Sequence, residues 1–340
     1  MTWSTPSWWD AAASNPTATQ LSRLLPPLLS PLSWLYGAGV RYDRWLAGAP
    51  QLAALPSLVV GGINAGGAGK TPVVQYLVRL LQGLQQHPHI GLRGYGGVAS
   101  TEPRQVLPED GVELVGDEAL LHAGLAPTWV GRNRLELASR AAGAGASQLV
   151  LDDGLQHWPL RPHLSLVVVE GAFGLGNGRL LPAGSLRESW ESVAARADAL
   201  LSLGDDRHQL QQRWPADKPC FAGRIIPKAV PELGRVLAFA GIGRPAKFWQ
   251  SLQEVGMEVV ASQGYPDHYR YQEQDLLGLV EQATRLKAAL ITTRKVWVRL
   301  SPAWQARVAV LDVALQLDAA SQLAIRAWLQ PLLPKVGAAS

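Results

Sequence analysis

A glycine-rich segment that runs into a lysine and a threonine carries the clearest chemistry in this chain. It reads Asn64-Ala65-Gly66-Gly67-Ala68-Gly69-Lys70-Thr71 and follows the apolar run Leu58-Val59-Val60. Backbone N–H groups at the start of a helix can bind phosphate, and glycines let the backbone approach it closely. Lys70 would bring a positive charge to the outer phosphates, and the Thr71 hydroxyl would bind Mg²⁺. The segment predicts a nucleoside-triphosphate site, although Asn64 stands where the strict pattern has its first glycine. A flexible loop that precedes a lysine by chance is the alternative.

Two pairs of acidic residues follow other predicted elements. Asp152-Asp153 comes directly after the apolar run 148–151, where phosphate-transfer enzymes place the carboxylate that holds Mg²⁺. Gln156 and His157 lie on the same loop, and therefore near the same phosphates. A turn in which aspartate bonds its own backbone, followed by a structural histidine, is the alternative interpretation.

Asp117-Glu118 is expected where a strand ends and a helix starts. A carboxylate there can accept the proton of an attacking hydroxyl or bind a metal, and it can equally cap the helix. His268 lies far along the chain between a predicted strand and a predicted helix, where it could orient a base across a cleft or be an ordinary loop histidine.

Several arginines on loops are candidates for binding a substrate phosphate, because guanidinium groups pair with phosphate oxygens in a bidentate way. Each of them taken singly could also be an ordinary surface residue. They are Arg93, Arg132, Arg134, Arg179 and Arg187.

The elements that position these residues alternate between strands and helices, which predicts an α/β fold with a mostly parallel sheet. Ligands in such folds bind at the carboxyl ends of the strands. The proline-spaced segment 226–231 is predicted to be a linker. We expect a P-loop, Rossmann-like domain at residues 51–228, a smaller α/β domain at 229–340 that closes a cleft, and an N-terminal helical segment at 1–50.

Composition excludes several classes of protein. The 340 residues are long enough for two cores, and 47% of them are apolar. A net charge of +4, without Lys/Arg-rich runs, does not predict a nucleic-acid partner. The single cysteine, Cys220, excludes an internal disulfide framework and fits a reducing cytosol.

The N-terminal segment is rich in leucine and tryptophan between residues 21 and 47. Pro26, Pro27 and Pro31 interrupt it, so no apolar run reaches the roughly 20 residues of a spanning helix. Five of the thirteen tryptophans fall in the first fifty residues, and tryptophan favours the membrane–water boundary. The segment could form a helix at the membrane interface or a pair of helices packed on the protein's own core. Of these two structures we expect the first, a peripheral membrane contact.

Taken together, the motifs resemble the tetraacyldisaccharide 4'-kinase family of the lipid A pathway. The resemblance extends from the N-terminal segment to about residue 300 and keeps the order of the motifs. The matching segments are 66–72, 93–97, 115–118, 131–134, 151–157, 176–184, 186–188, 238–243 and 265–269.

The resemblance implies ATP-dependent phosphorylation of the 4'-hydroxyl of a tetraacyldisaccharide 1-phosphate at the inner face of the cytoplasmic membrane, with no nucleic acid, and we expect a monomer. It implies ATP contacts by residues 64–71, with Lys70 on the phosphates, and Mg²⁺ near Thr71, Glu118, Asp152 and Asp153. Asp117 would be the catalytic base in a dyad with His268. Gln156 and His157 would lie near the metal, and Arg93, Arg134, Arg179 and Arg187 would be weaker candidates for the lipid phosphate.

One departure from the family pattern concerns the second half of the chain. The family commonly has Thr-Thr-Glu-Lys-Asp where this chain has Thr292-Thr293-Arg294-Lys295-Val296, so both acidic positions are lost. Two other functions stay open at this point. One is a P-loop ATPase or GTPase that acts on a protein partner, and the other is a non-catalytic nucleotide-binding relative.

Overall fold

The computed structural model describes residues 6–9, 20–94 and 102–334. A long helix precedes the first lobe, which we define as β1 through β10 with the helices between them. In chain order the elements are α1 (Gln20–Leu46), β1 (Gln51–Leu52), β2 (Ser57–Gly62), α2 (Lys70–Gly83), β3 (Pro88–Leu92), β4 (Arg104–Gln105), α3 (Val112–Val115), α4 (Asp117–Ala123), β5 (Thr128–Val130), α5 (Arg134–Gly143), β6 (Gln148–Asp152), β7 (Leu160–Arg161), β8 (Leu164–Glu170), α6 (Trp190–Arg196), β9 (Ala199–Leu203), α7 (Leu210–Arg213) and β10 (Cys220–Ala229).

The second lobe comprises β11 through β14 with the helices between them, and a last helix follows it. These elements are β11 (Arg235–Ala240), α8 (Pro245–Glu254), β12 (Glu258–Gly264), α9 (Glu273–Leu286), β13 (Ala289–Thr293), α10 (Arg294–Trp297), α11 (Pro302–Gln305), β14 (Ala309–Leu317) and α12 (Ala319–Trp328). Short 3₁₀ turns at Ser7–Trp9 and Gln330–Leu332 complete the described structure.

One twelve-stranded sheet runs through both lobes in the order β12-β11-β13-β14-β10-β9-β8-β2-β6-β3-β5-β4. Its neighbours are parallel except for the pairs β10–β14 and β4–β5. The long strands β10 and β14 therefore join the two lobes. The predicted α/β class with a mostly parallel sheet is confirmed, and the carboxyl ends of β2, β3, β6 and β8 meet at one edge, where ligands bind in such folds.

Apolar cores cover both faces of the sheet in each lobe. In the first lobe, the buried face of α2 (Val73, Val74, Leu77) shares its core with Leu315 of β14 and Ile325 of α12. The C-terminal helix thus completes the first lobe rather than the second, and strands buried on both faces are typical of parallel sheets. The predicted division of the chain at residue 228 stays a prediction.

Two local predictions are wrong. The segment predicted to be a linker is in strand β10 through Ala229, because Gly223 to Ala229 pair with β14. The predicted strand before Asp117 is the short helix α3, although its valines favour strands, since β-propensity yields to context. Gly116 follows with a φ of 83°, which turns the chain into α4.

The N-terminal helix α1 continues through its three prolines and touches the first lobe with a narrow face of small residues. Ser33 Oγ donates to the Leu180 carbonyl over 2.8 Å and accepts from the Ala183 N–H over 3.1 Å. Eight large apolar side chains of α1 are each at least half exposed. They are Leu24, Leu28, Leu32, Trp34, Leu35, Tyr42, Trp45 and Leu46.

No helix in residues 20–94 and 102–334 combines the length and the apolar character needed to cross a bilayer. Of the tryptophans in the N-terminal segment, Trp3 lies outside the described residues.

Candidate active site

The glycine-rich loop connects the buried strand β2 to α2, as predicted. Gly66 and Gly69 have φ values of 111° and 75°, which favour glycine at these two positions. A Cβ added at Gly66 or Gly67 would meet no atom within 4 Å, so the backbone of the loop faces open space. This space belongs to a cleft of about 1370 Å³ between the two lobes. The loop therefore fits a phosphate, whose oxygens need backbone N–H groups without side chains in the way.

Asn64 has a structural position at the start of this loop. Its side chain is buried, with Nδ2 donating to the Gly174 carbonyl and Oδ1 accepting from Ser185 Oγ, each over 2.8 Å. The N–H of Ala65 donates to the Ser185 carbonyl over 2.7 Å. Asn64 and Ala65 therefore anchor the loop to the segment 174–185, whereas residues 66–71 line the cleft.

Asp153 lies beside the lysine of the loop. Its carboxylate is 3.3 Å from Lys70 Nζ and accepts from Arg187 Nη1 over 2.9 and 3.0 Å. Burial would raise the pKa of Asp153, but the charges of Lys70 and Arg187 outweigh burial and lower that pKa. Asp153 is thus ionised at neutral pH and holds the Lys70 ammonium at the loop.

Asp152 ends β6 and is 3% exposed. Its Oδ2 lies 3.0 Å from Nε2 of His122, a fully buried residue of α4. His122 could not be found from the sequence, because a histidine on a helix gives no sign of which strand end it will meet. Carboxylates that bind metals are usually held by such a partner, which fixes their orientation.

Gln156 and His157 follow on the same loop. Gln156 Nε2 donates to Glu188 over 2.9 Å, and Glu188 is paired with Arg196, so Gln156 supports the loop from behind. Burial, with the positive charges of Arg134 and Arg93, lowers the pKa of His157 to about 4. Its buried Nε2 has no hydrogen-bond partner within the described residues, which leaves a polar atom for a ligand to satisfy.

The predicted arginines separate into two groups. Arg93, Arg132, Arg134 and Arg187 line the cleft. Burial and the neighbouring Arg93 lower the pKa of Arg134 to about 10 against the opposing charge of Asp153, so Arg134 keeps its charge at neutral pH. Arg179 does not line the cleft in the described structure; it donates to Ser30 of α1. Tyr95 to Gly97 of the predicted motif after Arg93 lie outside the described residues.

A second group of charges forms where the lobes meet. Asp117, in the first turn of α4, is 2% exposed. Its Oδ2 is 3.2 Å from His268 Nδ1 and accepts from Arg299 Nε over 2.8 Å, and its Oδ1 accepts from the Glu118 N–H over 2.9 Å. Burial would raise the pKa of Asp117, but the bond to His268 and the charges of Lys295 and Arg299 hold it well below its usual range. The structure therefore brings Asp117 and His268 together.

Glu118 belongs to this second group rather than to the group of Asp152 and Asp153. It lies 3.4 Å from Lys295 Nζ, which is also 3.4 Å from His268 Nε2. Among the described residues there is no cluster of three or more His, Cys, Asp or Glu side chains placed to enclose a metal. The donor set instead suits Mg²⁺, which is usually bound by one or two carboxylates together with phosphates and water.

Comparisons with known proteins show the family to which the chain belongs. The sequence model of the tetraacyldisaccharide-1-P 4'-kinase family, LpxK, matches residues 25–331. The chain belongs to this family. The tetraacyldisaccharide 4'-kinase of Paramagnetospirillum magneticum is 44% identical over 91% of this chain and 94% of its own length. That of Parvibaculum lavamentivorans is 41% identical over 92% of each chain.

A solved structure supports the same family assignment and the fold. LpxK from Aquifex aeolicus, crystallised in complex with ATP, is 26% identical to this chain with a TM-score of 0.70. The match covers 90% of this chain and 99% of that one. The resemblance inferred from the sequence motifs is thus confirmed.

The departure from the family at residues 294 and 296 has a local structural account. Val296 is buried in an apolar cluster of the second lobe, where no acidic side chain would find water. Arg294 lies 3.4 Å from Asp312 and has its guanidinium 4.8 Å from the centre of the Trp297 ring. Lys295, between them, contacts Glu118 and His268.

Proposed function

We propose that this protein transfers the γ-phosphate of ATP to the 4'-hydroxyl of a tetraacyldisaccharide 1-phosphate, giving the bisphosphorylated lipid A precursor. The observation that carries the proposal is the pair Asp117–His268, in which Asp117 of the first lobe is buried against His268 of the second lobe, and His268 lines the cleft that also contains the glycine-rich loop. A hydrolase of ATP needs only water as the acceptor. A base held across two lobes suits an acceptor that enters between them.

Each residue has a role in this reaction. The backbone of residues 66–71 and Lys70 bind the ATP phosphates, and Arg93, Arg134 and Arg187 add positive charge along the cleft. Asp117 takes the proton of the 4'-hydroxyl as its oxygen forms a bond to the γ-phosphorus and the bond between that phosphorus and the leaving oxygen of ADP breaks. His268 orients the Asp117 carboxylate. Lys295, at 3.4 Å from both Glu118 and His268, fixes these two groups relative to each other.

A divalent cation completes the chemistry. The residues that would hold Mg²⁺ are Thr71, Asp152 and Asp153, with Glu118 as the more distant candidate. When bound, Mg²⁺ neutralises charge on the phosphates. His122 keeps the Asp152 carboxylate in place through the contact of 3.0 Å.

We also propose that α1 lies on the cytoplasmic face of the bacterial inner membrane, with the protein as a monomer. Burying its exposed leucines and tryptophans in the bilayer interface removes apolar surface from water, at roughly 25 cal/mol per Å². Arg23 and Arg41 along the same helix would face anionic headgroups.

The experiment that tests the kinase function uses the full chain with Mg-ATP and a tetraacyldisaccharide 1-phosphate in detergent. We expect the bisphosphorylated lipid by mass spectrometry and its loss in Asp117→Ala. ATP hydrolysis without lipid product would support the ATPase alternative. ATP binding with neither product would support a non-catalytic relative.

The membrane contact is tested by sedimentation with vesicles of anionic phospholipid. Leu28 and Leu35 are 74% and 70% exposed on α1, and the double variant Leu28→Glu/Leu35→Glu should leave most of the protein in the supernatant. Leu323 on α12 is 75% exposed, so Leu323→Glu is the matched control and should sediment like the wild type. Equal sedimentation of all three proteins would reject the proposal.

A further inference from the structure

Arg299, from the turn after α10 in the second lobe, binds the carboxylate of Asp117 in the first lobe. Its Nε donates to Asp117 Oδ2 over 2.8 Å, and its Nη2 donates to the same oxygen. Its Nη1 donates to the Gly241 carbonyl, just after β11, over 3.2 Å. The Arg299 side chain is 6% exposed, so this contact is buried at the junction of the lobes.

The backbone that carries Arg299 is fixed to the core of the second lobe. The N–H of Arg299 donates to the Val296 carbonyl over 2.9 Å, and that of Leu300 donates to the Trp297 carbonyl over 3.0 Å. Val296 and Leu300 are both buried in the apolar cluster of this lobe. Arg299 is therefore anchored in the second lobe, and its contact with Asp117 joins the two lobes.

The contact with Arg299 uses the hydrogen-bonding positions of one oxygen of the Asp117 carboxylate. A carboxylate has about four lone-pair positions, two on each oxygen. Oδ2 accepts from two N–H groups of Arg299 and lies 3.2 Å from His268 Nδ1, so its positions are filled. Oδ1 accepts only the Glu118 N–H among the contacts of the described residues. The position that is left for the proton of a hydroxyl is on Oδ1.

We propose that Arg299 is a positioning residue for the phosphoryl transfer: by occupying Oδ2 of Asp117 it directs Oδ1 toward the acceptor hydroxyl. This rests on the proposed function, in which Asp117 is the base. The His268 contact with Oδ2 and the Glu118 N–H on Oδ1 are single contacts, one to each oxygen. The forked guanidinium, itself tied to the Gly241 carbonyl, fixes the carboxylate further because two of its N–H groups meet one oxygen. The base in the first lobe is thereby aligned by a side chain of the second lobe.

The test compares Arg299→Ala and Arg299→Lys with the wild type in the detergent assay, measuring kcat and the KM for ATP separately. Since misplacing a reacting group by about 1 Å can cost about 10²-fold, we expect kcat to fall by that order and the KM for ATP to stay the same. Guanidinium ions at millimolar concentration should restore part of the kcat of Arg299→Ala. Methylammonium, which carries the charge without the fork, should not.

Arg270→Ala is the matched control. Arg270 is also an arginine of the second lobe that pairs with an acidic residue of the first lobe, Glu113, but both side chains are largely exposed. The kcat of Arg270→Ala should equal that of the wild type. Thermal unfolding of every variant checks the fold, and if Arg299→Ala does not fold, Arg299→Lys decides the question by its kcat.

A kcat within about threefold of the wild type in folded Arg299→Ala or Arg299→Lys would overturn the proposal. Equal rescue by guanidinium and methylammonium, or a change confined to the KM for ATP, would overturn it as well. Failure of the proposed function is distinguishable from all of these, because then the wild type itself would form no bisphosphorylated lipid.

Discussion

The two carboxylate centres of the cleft are built from different parts of the chain. In the described structure Asp152 and Asp153 have side-chain partners from the first lobe only, namely His122, Lys70 and Arg187. Asp117 has its side-chain partners, His268 and Arg299, from the second lobe. The first centre is thus complete within one lobe, whereas the second exists only where the lobes meet.

In the proposed function, this difference separates nucleotide binding from catalysis. Among the described residues, the centre around Asp153 is held by side chains of the first lobe alone. The centre around Asp117 depends on contacts between elements that lie far apart in the sequence, such as the pair Asp117–Arg299 with a separation of 182 residues. Variants around Asp153 should therefore weaken ATP binding, whereas variants around Asp117 should lower turnover and leave ATP binding unchanged.

The largest effect is expected for Asp117→Asn, which removes the charge of the base while keeping its shape. Turnover should fall by about 10²–10⁴-fold, the usual contribution of a general base, with ATP affinity unchanged. Lipid phosphorylation and calorimetric ATP binding measure the two quantities. Glu113→Gln, an exposed acidic residue of the same segment, is the control and should keep wild-type turnover. Activity of Asp117→Asn within about threefold of the wild type would show that the base is misassigned.

Lys70→Ala should lower both turnover and ATP affinity, because Lys70 belongs to the centre within the first lobe. Losing one charged donor to the phosphates should lower kcat/KM for ATP by about 10²-fold and weaken ATP binding in calorimetry. Lys228→Ala, an exposed lysine of β10, serves as the control. If Lys70→Ala bound ATP like the wild type, the distinction between the two centres would fail.

A smaller effect, about 10-fold to 10²-fold on turnover, is expected for His268→Asn. His268 has a φ of 59°, a left-handed conformation that asparagine adopts more easily than most residues, so the backbone should remain as it is. ATP affinity should not change. The opposite pattern, weakened ATP binding with normal turnover, would place His268 at the nucleotide rather than at the base.

The smallest effect concerns stability in acid. The pKa of His157 is about 4 in the folded protein and roughly 6.5 in an unfolded chain. The unfolded state therefore binds more protons between these values. The contribution of His157 to stability is full above pH ~6.5 and is lost as the pH falls through about 4. Because the imidazole is partly exposed, the expected loss in the free energy of unfolding is only about 1–2 kcal/mol.

Urea unfolding at pH 7 and near pH 4.5 measures this difference. The free energy of unfolding of the wild type should fall more between the two pH values than that of His157→Gln. An identical fall in both proteins would mean that neither burial nor the positive charges of Arg134 and Arg93 lower the pKa of His157 in the folded protein.

Much of the first centre could be predicted from the sequence, because its signals are contiguous. A buried strand, glycines, Lys70-Thr71 and an apolar helix face follow one another, and each indicates the same structure. The apolar run before Asp152-Asp153 likewise predicted β6. The roles of Asn64 and Arg179 were less visible, since Asn64 anchors its loop to Ser185 and Arg179 holds α1.

The α/β class, the glycine-rich loop between β2 and α2 and the family could all be predicted from the sequence, because hydrophobic period, glycine conformation and motif order are local properties of the chain. Only the tertiary structure decided that β10 and β14 join the lobes in one sheet and that α12 returns to the first core. It also decided that His122 meets Asp152 and that Arg299 meets Asp117. These contacts depend on how distant elements pack. A buried polar side chain needs a hydrogen-bond partner, but its identity does not show which distant residue that partner will be.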